Sequence, residues 1–117
     1  MTARKRGVTW NEVCDMARAL ADIERSTSYG TEALKVKSKL MARLKEDGES
    51  MVLLVGFDER EILIEADPDV FFTTDHYRGY PTVLIHLSRI PAEQMRSLLA
   101  MAHAFASTTK KRRRKQD

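Results

Sequence analysis

Cysteine and proline are scarce in this chain of 117 residues, which has one cysteine, Cys14, and three prolines. A single thiol cannot close an internal disulfide, so a disulfide-stapled fold is excluded, and no Cys/His cluster has zinc spacing. Long apolar runs are also missing. Met51 to Val55 stops far short of the ~20 residues a membrane helix needs, so no membrane partner is expected. No apolar stretch follows Met1-Thr2-Ala3-Arg4-Lys5-Arg6, so no signal peptide is expected either, and a cytoplasmic location follows. The five glycines are scattered and form no phosphate-cradling loop. No cofactor or metal is therefore expected. What the chain does have is 43% apolar residues, enough for the core of one domain.

Charge is unevenly distributed. The formal net charge is +3, yet nine of the 20 basic residues lie at the ends. They are Arg4, Lys5 and Arg6, then Lys110, Lys111, Arg112, Arg113, Arg114 and Lys115. Residues 7–109 keep eleven basic and sixteen acidic side chains, a net charge of −5. Six consecutive cations repel one another and read as a disordered arm able to meet phosphates without sequence selectivity, or as a merely solubilising tail. The domain reading is a basic arm over 1–8, a folded body over 9–107 and a disordered basic tail over 108–117.

Thr9-Trp10-Asn11-Glu12 is a capping box, and Val13, Met16, Ala17 and Leu20 follow at helical spacing, predicting a helix over 10–22. Residues 23–32 are polar and read as a connection. From Ala33 the apolar period becomes 2. Leu34 and Val36 alternate with Lys35 and Lys37, and Leu40, Ala42 and Leu44 with Met41, Arg43 and Lys45, which predicts two half-buried strands. Glu46 to Glu49 forms a turn, and Met51 to Val55, apolar throughout, reads as a central strand. Asp58 to Glu61 is a second capping box, with Phe57 and Ile62 as its staple, opening a helix over 59–66 that Asp67-Pro68 stops. Phe71-Phe72 and Thr82 to Leu87 read as strands. Pro91 opens a last helix with Ile90, Met95, Leu98, Leu99, Ala102 and Phe105 as its stripe. The order α-β-β-β-α-β-β-α with short connections predicts a two-layer α+β fold, an antiparallel sheet with helices on one face and the other face open.

Phe72-Thr73-Thr74-Asp75-His76-Tyr77-Arg78-Gly79-Tyr80-Pro81 resembles the signature of the MmcQ/YjbR family, roughly F-x-T-x-H-Y-x-G-Y-P before an apolar strand. Val55-Gly56-Phe57 leading to Ala66-Asp67-Pro68 is similar to that family's helix and turn. Lys39-Leu40-Met41-Ala42-Arg43-Leu44 resembles its K-x-[FM]-A-x-L strand, with Leu40 a departure from the usual aromatic or Val. The resemblance spans about Trp10 to Phe105. It implies a fold related in topology to secretion chaperones and a DNA-binding role through a double wing of paired hairpins.

Two stretches carry the chemistry. Lys35, Lys37, Lys39, Arg43 and Lys45 occur with no acid among them. On paired strands they make either a phosphate-binding stripe or a solvated edge that discourages strand addition. The aromatic loop has three readings. His76, Tyr77, Arg78 and Tyr80 contact bases and phosphates, or Asp75 and His76 form an acid/base pair, or the rings cap the sheet edge. His86 and His103 read as structural. The expectation is a non-enzymatic binding protein whose partner is nucleic acid, DNA before RNA. Lys35, Lys37, Lys39, Arg43, Lys45, His76, Tyr77, Arg78 and the Lys110–Lys115 run are its contacts. The alternatives are a protein-interaction module using the open sheet face and a small-ligand-binding domain.

Overall fold

A computed structural model describes residues 7–28 and 30–108. The cationic residues at 4–6 and 110–115 lie outside the described residues. The chain forms α1 (Trp10–Ala17), β1 (Ile23–Ser28), β2 (Thr31–Val36), β3 (Lys39–Leu44), β4 (Ser50–Leu54), α2 (Phe57–Ala66), β5 (Phe71–Phe72), β6 (Thr82–His86) and α3 (Ala92–Thr108). All six strands join one antiparallel sheet in the order β1-β2-β3-β4-β6-β5. The expected α+β architecture holds, with Met51 to Leu54 at its centre.

One strand is added to the expected order. Residues 23–28, read as a connection, form β1, paired with β2 from Ile23↔Val36 to Ser28↔Thr31. It is an edge strand with no fully buried residue, Ile23 packing partly against the core, so backbone pairing rather than apolar alternation holds it in place. The β2–β3 hairpin turns on Lys37 and Ser38, whose φ angles of 50° and 73° are both positive. That is the primed turn matching strand twist, although neither residue is glycine.

The first capping box forms as expected. Glu12 N–H donates to Thr9 Oγ1 at 3.1 Å, and Thr9 N–H to Glu12 Oε1 at 2.9 Å. The helix ends at Ala17, well before residue 22. The second box does not form. Helix α2 starts at Phe57 behind Gly56, with no side-chain cap. Phe57 and Ile62 are exposed rather than stapled. Gly56 has φ +100°, and a Cβ there would stand 3.3 Å from the Phe105 ring, so chain direction and helix packing both select glycine.

Cross-strand partners share a face, so the register sorts the side chains. Leu34, Ala42, Met51, Leu53, Val83 and Ile85 belong to one face and form the core with Val13 and Ala17 of α1 and Met95, Leu99 and Ala102 of α3. Val8 packs into the same core, and Gly7 and Val8 N–H groups bond to the Ile90 and Leu87 carbonyls. The folded body thus includes Gly7 and Val8, before the expected start at residue 9. Helix α2 meets β5 and β6 and adds Leu63 to that core.

Candidate functional site

The second face is not the open surface expected from sequence. Ala33, Arg43, Val52 and Leu84 are paired across β2, β3, β4 and β6, and all are buried. The loop from Thr73 to Pro81 overhangs this face. Between loop and sheet lies a cleft of about 540 Å³. Its floor includes Leu40, Val52 and Leu54, its outer wall is built by His76, Tyr77 and Tyr80, and Lys39 and Lys45 line it as well.

Arg43 joins the two parts. It was expected on a wet face, yet it is only 4% exposed. Its Nη1 donates to Tyr77 Oη at 2.8 Å, Nη2 to Glu46 Oε2 at 2.6 Å, and Nε to the Ser28 carbonyl at 3.2 Å. A planar guanidinium reaches three separated acceptors from three nitrogens held in one plane, whereas a lysine would have to serve them all from a single nitrogen. Glu46 is held below the usual carboxylate range by a backbone hydrogen bond at its own residue, against the opposing effect of burial, and by the Arg43 charge. Lys45 Nζ stands 5.3 Å from the Tyr77 ring centroid, a cation–π distance. Tyr77 is therefore fixed at its hydroxyl and over its ring.

A second buried arginine holds the loop's far end. Arg60 of α2 donates through Nη1 to the Tyr80 carbonyl at 2.9 Å, with the Tyr77 and Thr82 carbonyls at 3.4 and 3.5 Å. The Tyr77 and Tyr80 carbonyls, which also accept from the Tyr80 and Thr82 N–H groups within the loop, thus meet a cation from the first turn of α2 as well. Nothing in the sequence pattern marks Arg60 beyond its place in the expected capping box of residues 58–61.

The remaining predicted residues separate. Lys37 is in the hairpin turn, 3.8 Å from Asp22, and not on a strand face as expected. Lys35 pairs with Leu40, which lines the cleft, so it flanks the site. The five cations are therefore not one continuous stripe. Lys39 and Lys45 line the cleft, Lys35 flanks it, Arg43 is internal and Lys37 turns away. Arg78 donates to Asp75 at 3.0 Å in an exposed pair. That leaves Asp75 engaged by Arg78 rather than by the neighbouring imidazole. The His76 ring meets Tyr77 edge-on, centroids 4.7 Å apart, and Tyr80 at 6.3 Å. His86 stacks on Phe72 at 4.4 Å, and His103 Nε2 lies 2.8 Å from the Ala21 carbonyl, consistent with structural roles. The cleft floor itself was missed. Its signal was present in Met51 to Leu54, since a strand apolar on both sides needs cover on both faces.

Among the described residues no group of three or more His, Cys, Asp or Glu gathers to hold a metal ion, and no helix is long and apolar enough to cross a membrane. The arrangement offers ring faces, an apolar floor and cations on one concave surface.

The YjbR family model matches residues 18–105. Uncharacterised proteins of Mycobacterium bovis and of two strains of Mycobacterium tuberculosis are 42% identical over 40 residues, or 34% of this chain. That match spans only 31% of the relatives' own length. The crystal structure of Deinococcus radiodurans protein DR2400, described as a DUF419 domain, has a TM-score of 0.73 at 19% identity. It covers 92% of this chain and 83% of that one, a likeness of fold.

Proposed function

The chain belongs to the YjbR family, and from that membership we propose that it is a small non-enzymatic binding domain whose partner is DNA. One observation carries this reading: Lys39 and Lys45 share a concave surface with the rings of His76, Tyr77 and Tyr80. Cations beside ring faces are the two elements by which proteins hold phosphates and bases. Lys35 extends the positive border, and Arg78 adds a charge shared with Asp75. The residues from Lys110 to Lys115 supply a further, sequence-independent attraction. Local field matters more here than the net charge of −5 over residues 7–109, because charges beyond ~8–10 Å are largely screened at physiological salt.

The test is a titration of the full-length chain with duplex and single-stranded DNA at several salt concentrations. Affinity is expected to fall steeply as salt rises, with a log–log slope of roughly −0.9 per duplex phosphate neutralised and −0.7 per single-strand phosphate. Replacing all six cations of Lys110–Lys115 by Gln is expected to flatten that slope, and Lys39→Glu with Lys45→Glu to remove much of what remains. No binding at low salt would end the DNA reading. A small-ligand domain would then lead, since about 540 Å³ lies within the range of small-molecule sites.

A further inference from the structure

Resting on the DNA reading, we infer that the cleft admits an unpaired base, so that the folded site selects single-stranded DNA over duplex. The wall divides into a fixed part and an available part. Tyr77 is held by Arg43 and Lys45, which stiffens the loop. Tyr80 is 55% exposed and His76 is exposed beside it, so both rings offer faces to an incoming group. Opposite them the floor at Val52 and Leu54 is apolar. A flat ring entering there is covered on both sides, as in stacking platforms for single strands.

A second observation points the same way. Thr82 lines the cleft, and its Oγ1 is buried with no hydrogen-bond partner among the described residues. A buried hydroxyl without a partner is costly, and such groups call for a physical account. That oxygen is closed to solvent. A base edge, which carries both N–H and C=O groups and can satisfy a hydroxyl in either role, reaches it where the Thr82 side chain turns toward the cleft. Lys45, which lines the cleft, then lies near the negative charge attached to that base. The cleft therefore fits a flat, partly apolar body joined to an anion. A duplex meets the lysines with its phosphates but keeps its bases stacked inside, leaving the rings and Thr82 unused unless a base is extruded.

The test compares three labelled probes on the full-length chain by fluorescence anisotropy. They are a short oligothymidine, an abasic strand of equal length and a duplex. The two strands carry the same phosphates, so the contribution of Lys110–Lys115 cancels between them. Oligothymidine is expected to bind about tenfold tighter than the abasic strand, the scale of one stacked base. Tyr80→Ala is expected to erase most of that advantage while circular dichroism stays unchanged. His76→Ala probes the same wall at a second exposed ring, and Thr82→Val is expected to reduce the advantage without altering the cleft's shape. Equal affinity for oligothymidine and abasic strand, or tighter binding of duplex, would overturn the inference while leaving DNA binding intact. Failure of all three probes to bind would remove both.

Discussion

The two faces of the sheet are closed by different chemistry. On the helix side, Leu34, Met51, Leu53, Val83 and Ile85 meet α1 and α3 through apolar contact. On the cleft side, Ala33, Val52 and Leu84 are equally buried, but the cover is a loop tied down by two arginines, Arg43 and Arg60. Apolar burial is non-directional and tolerates helices of many sequences. A loop has carbonyls to satisfy and few apolar contacts to offer, so it needs donors at set positions. The helix side makes stability. The cleft side trades some of it for a concave surface with rings and charges facing outward.

The largest loss is expected on the helix side. Leu53 has no exposure and sits in the middle of the sheet. Leu53→Ala is expected to cost about 2–5 kcal/mol, read from the urea midpoint, because the packed helices cannot close over the gap. A cost below that range would mean that α1 and α3 shift easily, making the core less rigid than its burial implies.

Arg43→Gln addresses the cleft side and is expected to cost about 1.5–3 kcal/mol, the scale of charge-assisted hydrogen bonds lost. Glu46 is exposed, so it regains water when its partner goes. Tyr77 and the Ser28 carbonyl lose a donor outright. The loop's amides are expected to exchange faster in the variant while those of β4 hardly change. Uniform acceleration across both would show that Arg43 supports the whole fold rather than the loop alone.

Much of this architecture was legible in the chain, and the failures have physical causes. The capping box at Thr9 and the alternation of β2 are local patterns whose apolar side had only one place to go. In β3, by contrast, a register shift opposite Leu34 and Lys35 breaks the expected alternation, burying Met41 in the core and turning Leu40 to the cleft. Strand β1 has no such pattern. Ile23-Glu24-Arg25-Ser26-Thr27-Ser28 is an edge, and the partner that makes it a strand is the backbone of β2. Arg43 shows the converse. Alternation placed it opposite the core face correctly, but polarity was taken to mean water, and the loop that covers it comes from residues 34 positions away. The resemblance in residues 72–81 located the loop without revealing that it roofs a cleft. Lys37 was read as strand because a primed turn without glycine leaves no mark.

Lys45→Gln acts on the cleft side at smaller scale. Removing the cation above Tyr77 is expected to cost about 0.5–1 kcal/mol of stability, the range for a partly exposed cation–π contact. The same substitution is expected to weaken DNA binding, whereas Lys37→Gln, in the turn beside Asp22, is expected to leave it nearly unchanged. Equal effects of the two on binding would mean that the hairpin acts through its total charge and that the cleft confers no position.

The smallest effect expected concerns acid, at the turn between β3 and β4 that borders the cleft. Asp47 accepts from the Glu49 and Ser50 N–H groups at 2.8 and 3.0 Å and from Ser50 Oγ at 3.0 Å. Partial burial raises its pKa, yet these three hydrogen bonds outweigh that and hold it below its ordinary value. A carboxylate depressed in the folded state binds its proton more readily when unfolded. Its contribution is then complete above the ordinary value of about 4 and is lost as pH falls through the depressed folded value. Stability should thus decline below about pH 4, and Asp47→Asn, which keeps one acceptor oxygen but no charge, should flatten part of that decline. Glu32, lowered through its bonds from Arg25 and Trp10 on the helix side, keeps its own share in the variant. Denaturation midpoints of both proteins across the acid range check this. Parallel curves would assign the acid sensitivity to Glu32 and Glu46, and the turn would then rest on its backbone geometry rather than on a charge.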